Sequence, residues 1–229
     1  ENPEQRWARI NSTHFLPTMP DAELSTPDSP AAAEPVAPVR KRPKPGERRV
    51  QILQALATML EQPGAERVTT AALAARLEVS EAALYRHFAS KAQMFEGLIE
   101  FIEQSVFSLV NQIMEREQAA NEQAARIVAM LLQFAEKNPG MTRVMVGDAL
   151  VFENERLQQR MNQFFDKIES TLKQSLRSAV EGSTTPSVDA QVRASLLTAF
   201  VVGRLQRFAR SGFKRIPSEH LEASLAQML

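Results

Sequence analysis

The chain has 229 residues, 44% of them apolar, so it is long enough to bury the core of one or two domains. It has no cysteine, which excludes disulfides, thiolate nucleophiles and cysteine metal sites and favours the reducing cytoplasm. The formal net charge is zero, yet residues 40–91 carry ten basic and five acidic side chains, whereas residues 1–39 carry two basic and six acidic ones. We therefore expect one basic segment that contacts a polyanion, not a uniformly basic protein.

Residues 1–45 are rich in proline, alanine and acidic side chains, and nine of the thirteen prolines lie before Gly46. This composition predicts a disordered tail. The tail ends in a basic run, RKRPKP, which is either a solvated linker or an arm that adds phosphate or minor-groove contacts. The later apolar runs are short and interrupted by charges, so we expect neither a membrane-spanning segment nor a membrane partner.

A first helix is predicted from Glu47, where apolar residues begin to recur at intervals of three and four. Pro63 and Gly64 should end this helix near Gln62. Its apolar stripe consists of Val50, Ile52, Leu53, Leu56, Met59 and Leu60.

Two short helices follow, joined by a tight connection. The stretch TTAALAARL has Thr69 or Thr70 as its N-cap and should bury Leu73 and Leu77. The connection EVS leads to a third helix, which Ser80 caps. Three helices, the last two short and joined by about three residues, form the skeleton of a helix-turn-helix.

Beyond Ser90 the predicted helices are longer, and no strand pattern competes with them. Ser90 and Gln93 have the spacing of a capping box, which opens a helix that should run to about Glu117. The remaining helices are expected over about 122–137, up to about Phe152, over 154–180, over 188–210 and after Pro217. The apolar stripe of the helix over 188–210 consists of Val192, Leu196, Phe200 and Leu205.

The third short helix, in the stretch SEAALYRHFASK, presents two different faces. Each helical residue advances by about 100°, so Leu84 and Phe88 share one apolar face, which should be buried. His87 lies near the boundary of that face. The opposite face consists of Glu81, Ala82, Tyr85, Arg86 and Ala89.

Small and hydrogen-bonding side chains on a short helix suit the major groove of DNA. Ala82 allows close approach, Arg86 is suited to guanine, and Glu81 is suited to cytosine. Tyr85 and His87 are better suited to phosphate oxygens.

Lys91 is a further candidate for phosphate binding. As the first residue of the next helix, it puts a positive charge at the positive end of the helix dipole. That position is unfavourable unless an anion lies there, which the backbone amides and the ammonium would hold together.

The stretch VTTAALAARLEVSEAALYRHFASKAQMFEGLI resembles the DNA-binding domain of TetR-family regulators, whose recognition helix ends in a Tyr-x-His-Phe motif. That motif is Tyr85–Phe88 here, and Lys91 occupies the family's phosphate-binding lysine position. Glu78 stands where the family commonly has glycine, so we expect either a positive φ at Glu78 or a different turn. The resemblance implies that Thr69, Thr70, Tyr85, His87 and Lys91 contact the DNA backbone and that Glu81, Ala82 and Arg86 face base edges.

The resemblance implies an all-α fold, with a three-helix helix-turn-helix domain over residues 46–91 and a helical dimerisation and partner-binding domain over residues 92–229. The long helices near 154–181 and 188–211 suggest a dimer formed by four-helix packing, as in the wider family. Two-fold symmetry would place the recognition helices roughly 34 Å apart on a pseudo-palindromic site. The same apolar stripes equally suit the core of one monomer.

A closer resemblance, carried by FEGLIEFIEQS, NPGMTRVMVGDALVFENERLQQRMNQFFDKIE and RFARSGFKRIP, is to the nucleoid occlusion factors of that family. It implies a cytoplasmic, nucleoid-associated homodimer that binds specific sites in double-stranded DNA. It also implies that the bound dimer antagonises the cell-division protein FtsZ by capturing its C-terminal tail.

Phe101 is the candidate anchor for that tail, because it points about 120° away from the apolar stripe of its helix. It either packs under the following helix or lines a groove with it. The resemblance implies that Met130, Phe134, Lys137 and Asn138 form the neighbouring part of this groove, with Lys137 pairing with the acidic tail.

One alternative is a ligand-responsive repressor of the same family, with a pocket lined by Phe164, Phe165, Met141 and Met145. Such residues more often belong to the plain core. A small molecule that releases the protein from DNA, with no effect of the protein on FtsZ polymers, would favour this alternative.

An enzyme is the other alternative, and the sequence does not favour it. His14, His87 and His220 have no spaced acidic partners for a metal site or a catalytic triad, and no glycine-rich phosphate loop occurs. We expect no catalytic residues, no metal and no cofactor.

Overall fold

The protein is described by a computed structural model that covers residues 47–62, 68–180 and 185–229. Within these ranges it is helical and has no strand, which confirms the all-α prediction. The expected tail over residues 1–45, with its basic end, lies outside the described residues. The helices are α1 (Glu47–Leu60), α2 (Thr70–Arg76), α3 (Glu81–Tyr85), α4 (Lys91–Arg116), α5 (Ala120–Lys137), α6 (Pro139–Met145), α7 (Glu155–Leu176), α8 (Pro186–Arg210) and α9 (Leu221–Met228), with 3-10 turns at Asp148–Leu150 and Ser178–Val180.

Side-chain caps set the starts of α2 and α3. The Thr69 hydroxyl accepts a hydrogen bond from the Ala72 amide at 3.2 Å, so Thr69 rather than Thr70 is the N-cap of α2. The Ser80 hydroxyl accepts from the Ala83 amide at 3.3 Å and caps α3 as predicted. Each cap pairs an amide that the first helical turn would otherwise leave without a partner.

The turn between α2 and α3 has Glu78 at φ 53°, so of the two alternatives, a positive φ or a different turn, the structure has the positive φ. In this conformation the Val79 amide donates to the Ala74 carbonyl at 3.0 Å, which closes the end of α2. Leu77, expected on the buried face of α2, is only half-buried, whereas Leu73 is 1% and Ala74 3% exposed.

α3 ends at Tyr85, so it is shorter than the stretch from Glu81 to Ala89 whose side chains were sorted on a helix. The His87 amide donates to the Leu84 carbonyl at 2.9 Å, and the Phe88 amide donates to the same oxygen at 3.1 Å. Two amides that share one carbonyl tighten the chain into a turn, which ends the regular helix while Phe88 still reaches the core.

α4 links the helix-turn-helix to the helices that follow it. The Ser90 hydroxyl accepts from the Gln93 amide at 3.2 Å, and Gln93 Oε1 accepts from the Ala89 amide at 2.9 Å. The predicted capping box is therefore present, although the glutamine reaches Ala89 rather than Ser90 itself. The buried side of α4 includes Phe95, Leu98, Ile102 and Val106, each at most 1% exposed.

The helices after α4 pack around a second part of the core. α5 contacts α4, α7 and α8, while α7 and α8 pack against each other along their length. The Phe164 ring lies edge-on to Phe107 and Phe165, at centroid distances of 5.5 and 5.1 Å. Met141, Met145 and Phe164 are each 2% exposed, so these three residues pack as core.

Three residues of the predicted apolar stripes are exposed in the single chain. Val50 on α1 is 46% exposed, and Val192 and Leu196 on α8 are 52% and 56% exposed. The helical period of α8 was assigned correctly, but its core-facing side consists of the neighbouring residues Ala190, Ala194, Leu197 and Val201. None of the described helices is long and apolar enough to cross a bilayer.

Candidate nucleic-acid interface

The outer surface of α3 carries the side chains that the sequence assigned to DNA. Leu84 and Phe88, each 1% exposed, anchor this helix in the core. Tyr85 is 45% exposed. The other exposed residues of this stretch are Glu81, Ala82, Arg86, His87 and Ala89. A surface of small and hydrogen-bonding side chains therefore projects from a helix whose opposite side is packed in the core.

Glu81 is oriented by a residue of the preceding helix. The Thr70 hydroxyl donates to Glu81 Oε2 at 2.6 Å, across the turn between α2 and α3. The bond leaves Oε1 of the carboxylate available to a donor on a base edge. Thr69 is committed as the cap of α2, so the two threonines have different roles in the protein without DNA.

Arg49 fixes the end of α3, a role that the sequence did not reveal. Its guanidinium donates to the His87 carbonyl at 2.9 Å and lies 4.1 Å from the centroid of the Phe88 ring. A hydrogen bond and a cation–π contact from one side chain hold the C-terminal end of the recognition helix against α1. The available signal was a basic residue in the first turn of α1, which many surface helices share.

Lys91 has a partner within the protein itself. Its ammonium forms an ion pair with Glu153, which precedes α7, and lies 5.6 Å from the centroid of the Phe95 ring. The side chains of Lys91 and Glu153 are 26% and 10% exposed. The expected phosphate-binding lysine is therefore held by a nearly buried carboxylate that lies 62 residues further along the chain.

Two further ion pairs join α4 to the start of α7. Arg156 pairs with Glu96, and Arg160 donates from Nε to Glu103 Oε1 at 2.9 Å and from its terminal nitrogen to Glu103 Oε2. Hydrogen bonding to Glu103 raises the pKa of Arg160 above its ordinary value, and partial burial opposes that shift. The bidentate pair fixes α7 against the helix that leads out of the helix-turn-helix.

The residues expected to bind a partner lie on α4, on α5 and, for Asn138, directly after α5. Phe101 and Met130 are half-buried, and Lys137 is exposed at the end of α5. Phe134 and Asn138 are each 6% exposed, and the Asn138 side-chain amide donates to the Phe134 carbonyl at 2.7 Å. Asn138 thus satisfies the end of α5 from within the protein, and its side chain is not displayed at the surface.

An apolar strip runs along the outside of α8. Val188, Val192 and Leu196 are 59%, 52% and 56% exposed and recur at every fourth residue. Gly203 lies further along this helix, and a Cβ added there would meet no atom within 4 Å. Three exposed branched side chains in a row on one helix are typical of an interface.

Comparison with known proteins gives the same architecture. Residues 52–98 match the model of bacterial regulatory proteins of the tetR family, and residues 118–229 match the SlmA-like model of the tetracyclin repressor-like C-terminal domain. A fatty acid degradation regulator, FadR from Bacillus halodurans, has a TM-score of 0.66 at 16% identity, covering 81% of this chain and 96% of its own. A TetR-family regulator from Bordetella parapertussis has a TM-score of 0.63 at 16% identity, covering 80% and 95%. The chain is thus a regulatory protein of the TetR type, which confirms the prediction that it is not an enzyme.

Relatives with higher sequence identity to this chain show which branch of the TetR family it belongs to. The nucleoid occlusion factor SlmA of Idiomarina loihiensis is 52% identical over 177 residues, which cover 77% of this chain and 90% of the relative. The protein of that name from Aliivibrio fischeri is 54% identical over 181 residues, covering 78% and 92%. In Vibrio cholerae it is 52% identical over 178 residues, covering 76% and 90%. The chain belongs to the SlmA family of nucleoid occlusion factors.

Proposed function

We propose that the protein binds specific sites in double-stranded DNA as a homodimer and, while bound, antagonises FtsZ assembly over the chromosome. The observation that carries DNA binding is the α3 surface, where Leu84 and Phe88 are buried and the opposite side chains are exposed. The family to which the chain belongs supports the proposal, because its members are named for nucleoid occlusion. The proposed location is the cytoplasm, on the nucleoid.

Specificity and affinity are assigned to different side chains. Arg86 donates to a guanine edge, Glu81 accepts from a cytosine, and Ala82 lets the helix approach closely. The Thr70 hydroxyl supports this assignment, because it holds one carboxylate oxygen of Glu81 at 2.6 Å and leaves the other free. The contacts to the DNA backbone come from Thr69, Thr70, Tyr85, His87 and Lys91 and position the helix without reading sequence. Thr70 makes its contact through its main-chain amide, because its single hydroxyl proton is donated to Glu81.

Dimerisation is assigned to α7 and α8. The strip of Val188, Val192 and Leu196 supports this assignment, because more than half of each side chain is exposed in the single chain. In a dimer with two-fold symmetry, the strip of one protomer packs against the same strip of its partner. Gly203 leaves room for the two α8 helices to approach each other. The dimer then presents two copies of α3 roughly one DNA turn, 34 Å, apart.

The FtsZ tail is assigned to the groove between α4 and α5. Half-buried Phe101 and Met130 offer an apolar floor, and exposed Lys137 offers a positive charge at the end of α5. Phe134 and Asn138 are assigned to the same groove as its buried members, since both are 6% exposed. An extended acidic segment with apolar side chains has the complementary chemistry.

The ligand-responsive alternative draws no support from the residues suggested for its pocket. Met141, Met145 and Phe164 are 2% exposed, and Phe164 packs edge-on against Phe107 and half-buried Phe165. These contacts are those of a packed core.

Selection of duplexes from a random pool tests the DNA-binding half of the proposal. The full chain should enrich a pseudo-palindromic sequence and bind it as a dimer, as measured by the mass of the complex. A synthetic peptide with the FtsZ C-terminal sequence tests the other half, and the Met130→Glu variant should lose the peptide while retaining DNA. Failure to enrich any sequence would contradict the first half, and equal peptide binding by the Met130→Glu variant would contradict the assignment of the groove.

A further inference from the structure

We propose that Glu153 limits DNA affinity by holding the Lys91 ammonium that a DNA phosphate requires, so that DNA occupancy is coupled to the segment Val151–Glu153. The proposal rests on the DNA-binding function proposed above. It assigns to Glu153 a role opposite to that of an orienting residue: the carboxylate competes with the phosphate.

The geometry places a carboxylate on the ammonium that the phosphate is expected to bind. Lys91 is the first residue of α4, and its side chain pairs with Glu153, which approaches from the chain that leads into α7. The Glu153 backbone amide donates to the Leu150 carbonyl at 3.0 Å, so the segment that carries the carboxylate is itself held in a turn. An ammonium bound in this way must change partners, or at least share them, when a phosphate arrives.

The neighbouring cations do not compensate Glu153 when Lys91 leaves. The next basic residues on α7 are Arg156 and Arg160, which bind Glu96 and Glu103 on α4. Among the described residues, Lys91 is the cation within ion-pair distance of Glu153. The Glu153 side chain is only 10% exposed, so water screens it poorly and the loss of its partner is unfavourable.

DNA binding therefore includes an exchange in which the phosphate gains the ammonium and Glu153 loses it. The second half of the exchange opposes the first and lowers the observed affinity. The coupling is reciprocal, because whatever weakens the Lys91–Glu153 pair strengthens DNA binding, and DNA binding weakens the pair. Val151 and Phe152, 69% and 66% exposed, adjoin Glu153, so the carboxylate lies next to an exposed apolar surface.

Affinities for a duplex selected by the wild type, measured with the full chain over a series of salt concentrations, test the proposal. Glu153→Gln should bind about two- to tenfold more tightly, because the competing charge is gone. The slope of log affinity against log salt should become steeper by up to about 0.9, the contribution of one fully available cation. In the Lys91→Ala background the same change should have less than about a twofold effect, because no ammonium remains to be released.

Glu155→Gln is the matched control, since it removes an exposed carboxylate two residues further along without touching the pair. Glu153→Asp keeps the charge on a shorter side chain and should give a smaller gain in DNA affinity. It replaces Glu153→Gln as the test variant if Glu153→Gln unfolds at a lower temperature than the wild type. Weaker or unchanged binding by Glu153→Gln would overturn the proposal, and so would an equal gain in the Lys91→Ala background or in Glu155→Gln. If the wild type selects no duplex, the proposed function is contradicted. If the wild type binds DNA, Lys91→Ala weakens that binding and Glu153→Gln does not strengthen it, only the role of Glu153 is contradicted.

Discussion

The carbonyl oxygen of Ala57 occupies the space where a side chain on Gly140 would begin: a Cβ at Gly140 would lie 2.0 Å from that oxygen. Gly140 is in the first turn of α6, and Ala57 is in α1, so two backbones from distant parts of the sequence are in direct contact. This contact and the Lys91–Glu153 ion pair join the helix-turn-helix to the helices behind it, and the ion pairs of Arg156 and Arg160 join α4 to α7. The helix-turn-helix is therefore held in part by residues far from it in sequence.

Gly140→Ala should displace α1, because the obstructing atom is backbone and has little freedom to move. We expect a loss of about 1–3 kcal/mol of unfolding free energy, together with weaker DNA binding. Gly97→Ala is the graded comparison, since its new Cβ would meet side-chain atoms of Leu53 and Phe88 at 3.3 Å, which can shift. Thermal denaturation should give a lower Tm for Gly140→Ala than for Gly97→Ala. A Gly140→Ala protein with the Tm of the wild type would contradict the close contact.

Arg49→Ala should weaken DNA binding by loosening the end of α3. The variant loses the bond to the His87 carbonyl and the contact with Phe88, which together are expected to contribute about 1–2 kcal/mol. Arg49→Lys keeps the charge but not the planar fork, so affinity should fall in both variants if geometry is what matters. Full affinity in Arg49→Lys would instead indicate that Arg49 acts through its charge alone.

Base-reading and backbone-binding residues should respond differently to substitution. Arg86→Ala should lose about 1–3 kcal/mol at one position of the site and relax the preference there. Lys91→Ala should weaken binding to all sequences with an unchanged preference, and should lower the salt slope by only part of the roughly 0.9 that a fully available cation contributes, because Glu153 holds the ammonium. Selection experiments on each variant check the difference, and a changed base preference in Lys91→Ala would contradict its assignment to phosphate.

Leu196→Glu should disrupt the dimer, because it buries a charge in the centre of the proposed α8 interface. Sedimentation should give a monomer at concentrations where the wild type is a dimer. Ala226→Glu on α9, also at an exposed position, adds the same charge elsewhere and should remain dimeric. If the Leu196→Glu protein is still a dimer, the interface does not include this strip.

Local signals in the sequence were enough to predict the helix-turn-helix. The caps at Ser80 and Ser90 depend on residues within a few positions of each other, and both are present. The positive φ at Glu78 is one of the two alternatives that the family resemblance left open. The pairing of Lys91 with Glu153 was not predictable in this way, because it joins residues 62 positions apart. Helical periodicity likewise found the apolar residues of α8 but could not separate those facing the core from Val192 and Leu196, since both sets are apolar.

The assembly of purified FtsZ, followed by light scattering with the protein present and with or without its selected duplex, tests the central claim most directly. We predict fewer or shorter FtsZ polymers when protein and duplex are both present, a weaker effect without the duplex, and no effect of the Met130→Glu variant in either condition. FtsZ polymers that are unchanged by the wild-type protein with its duplex bound would contradict the division role.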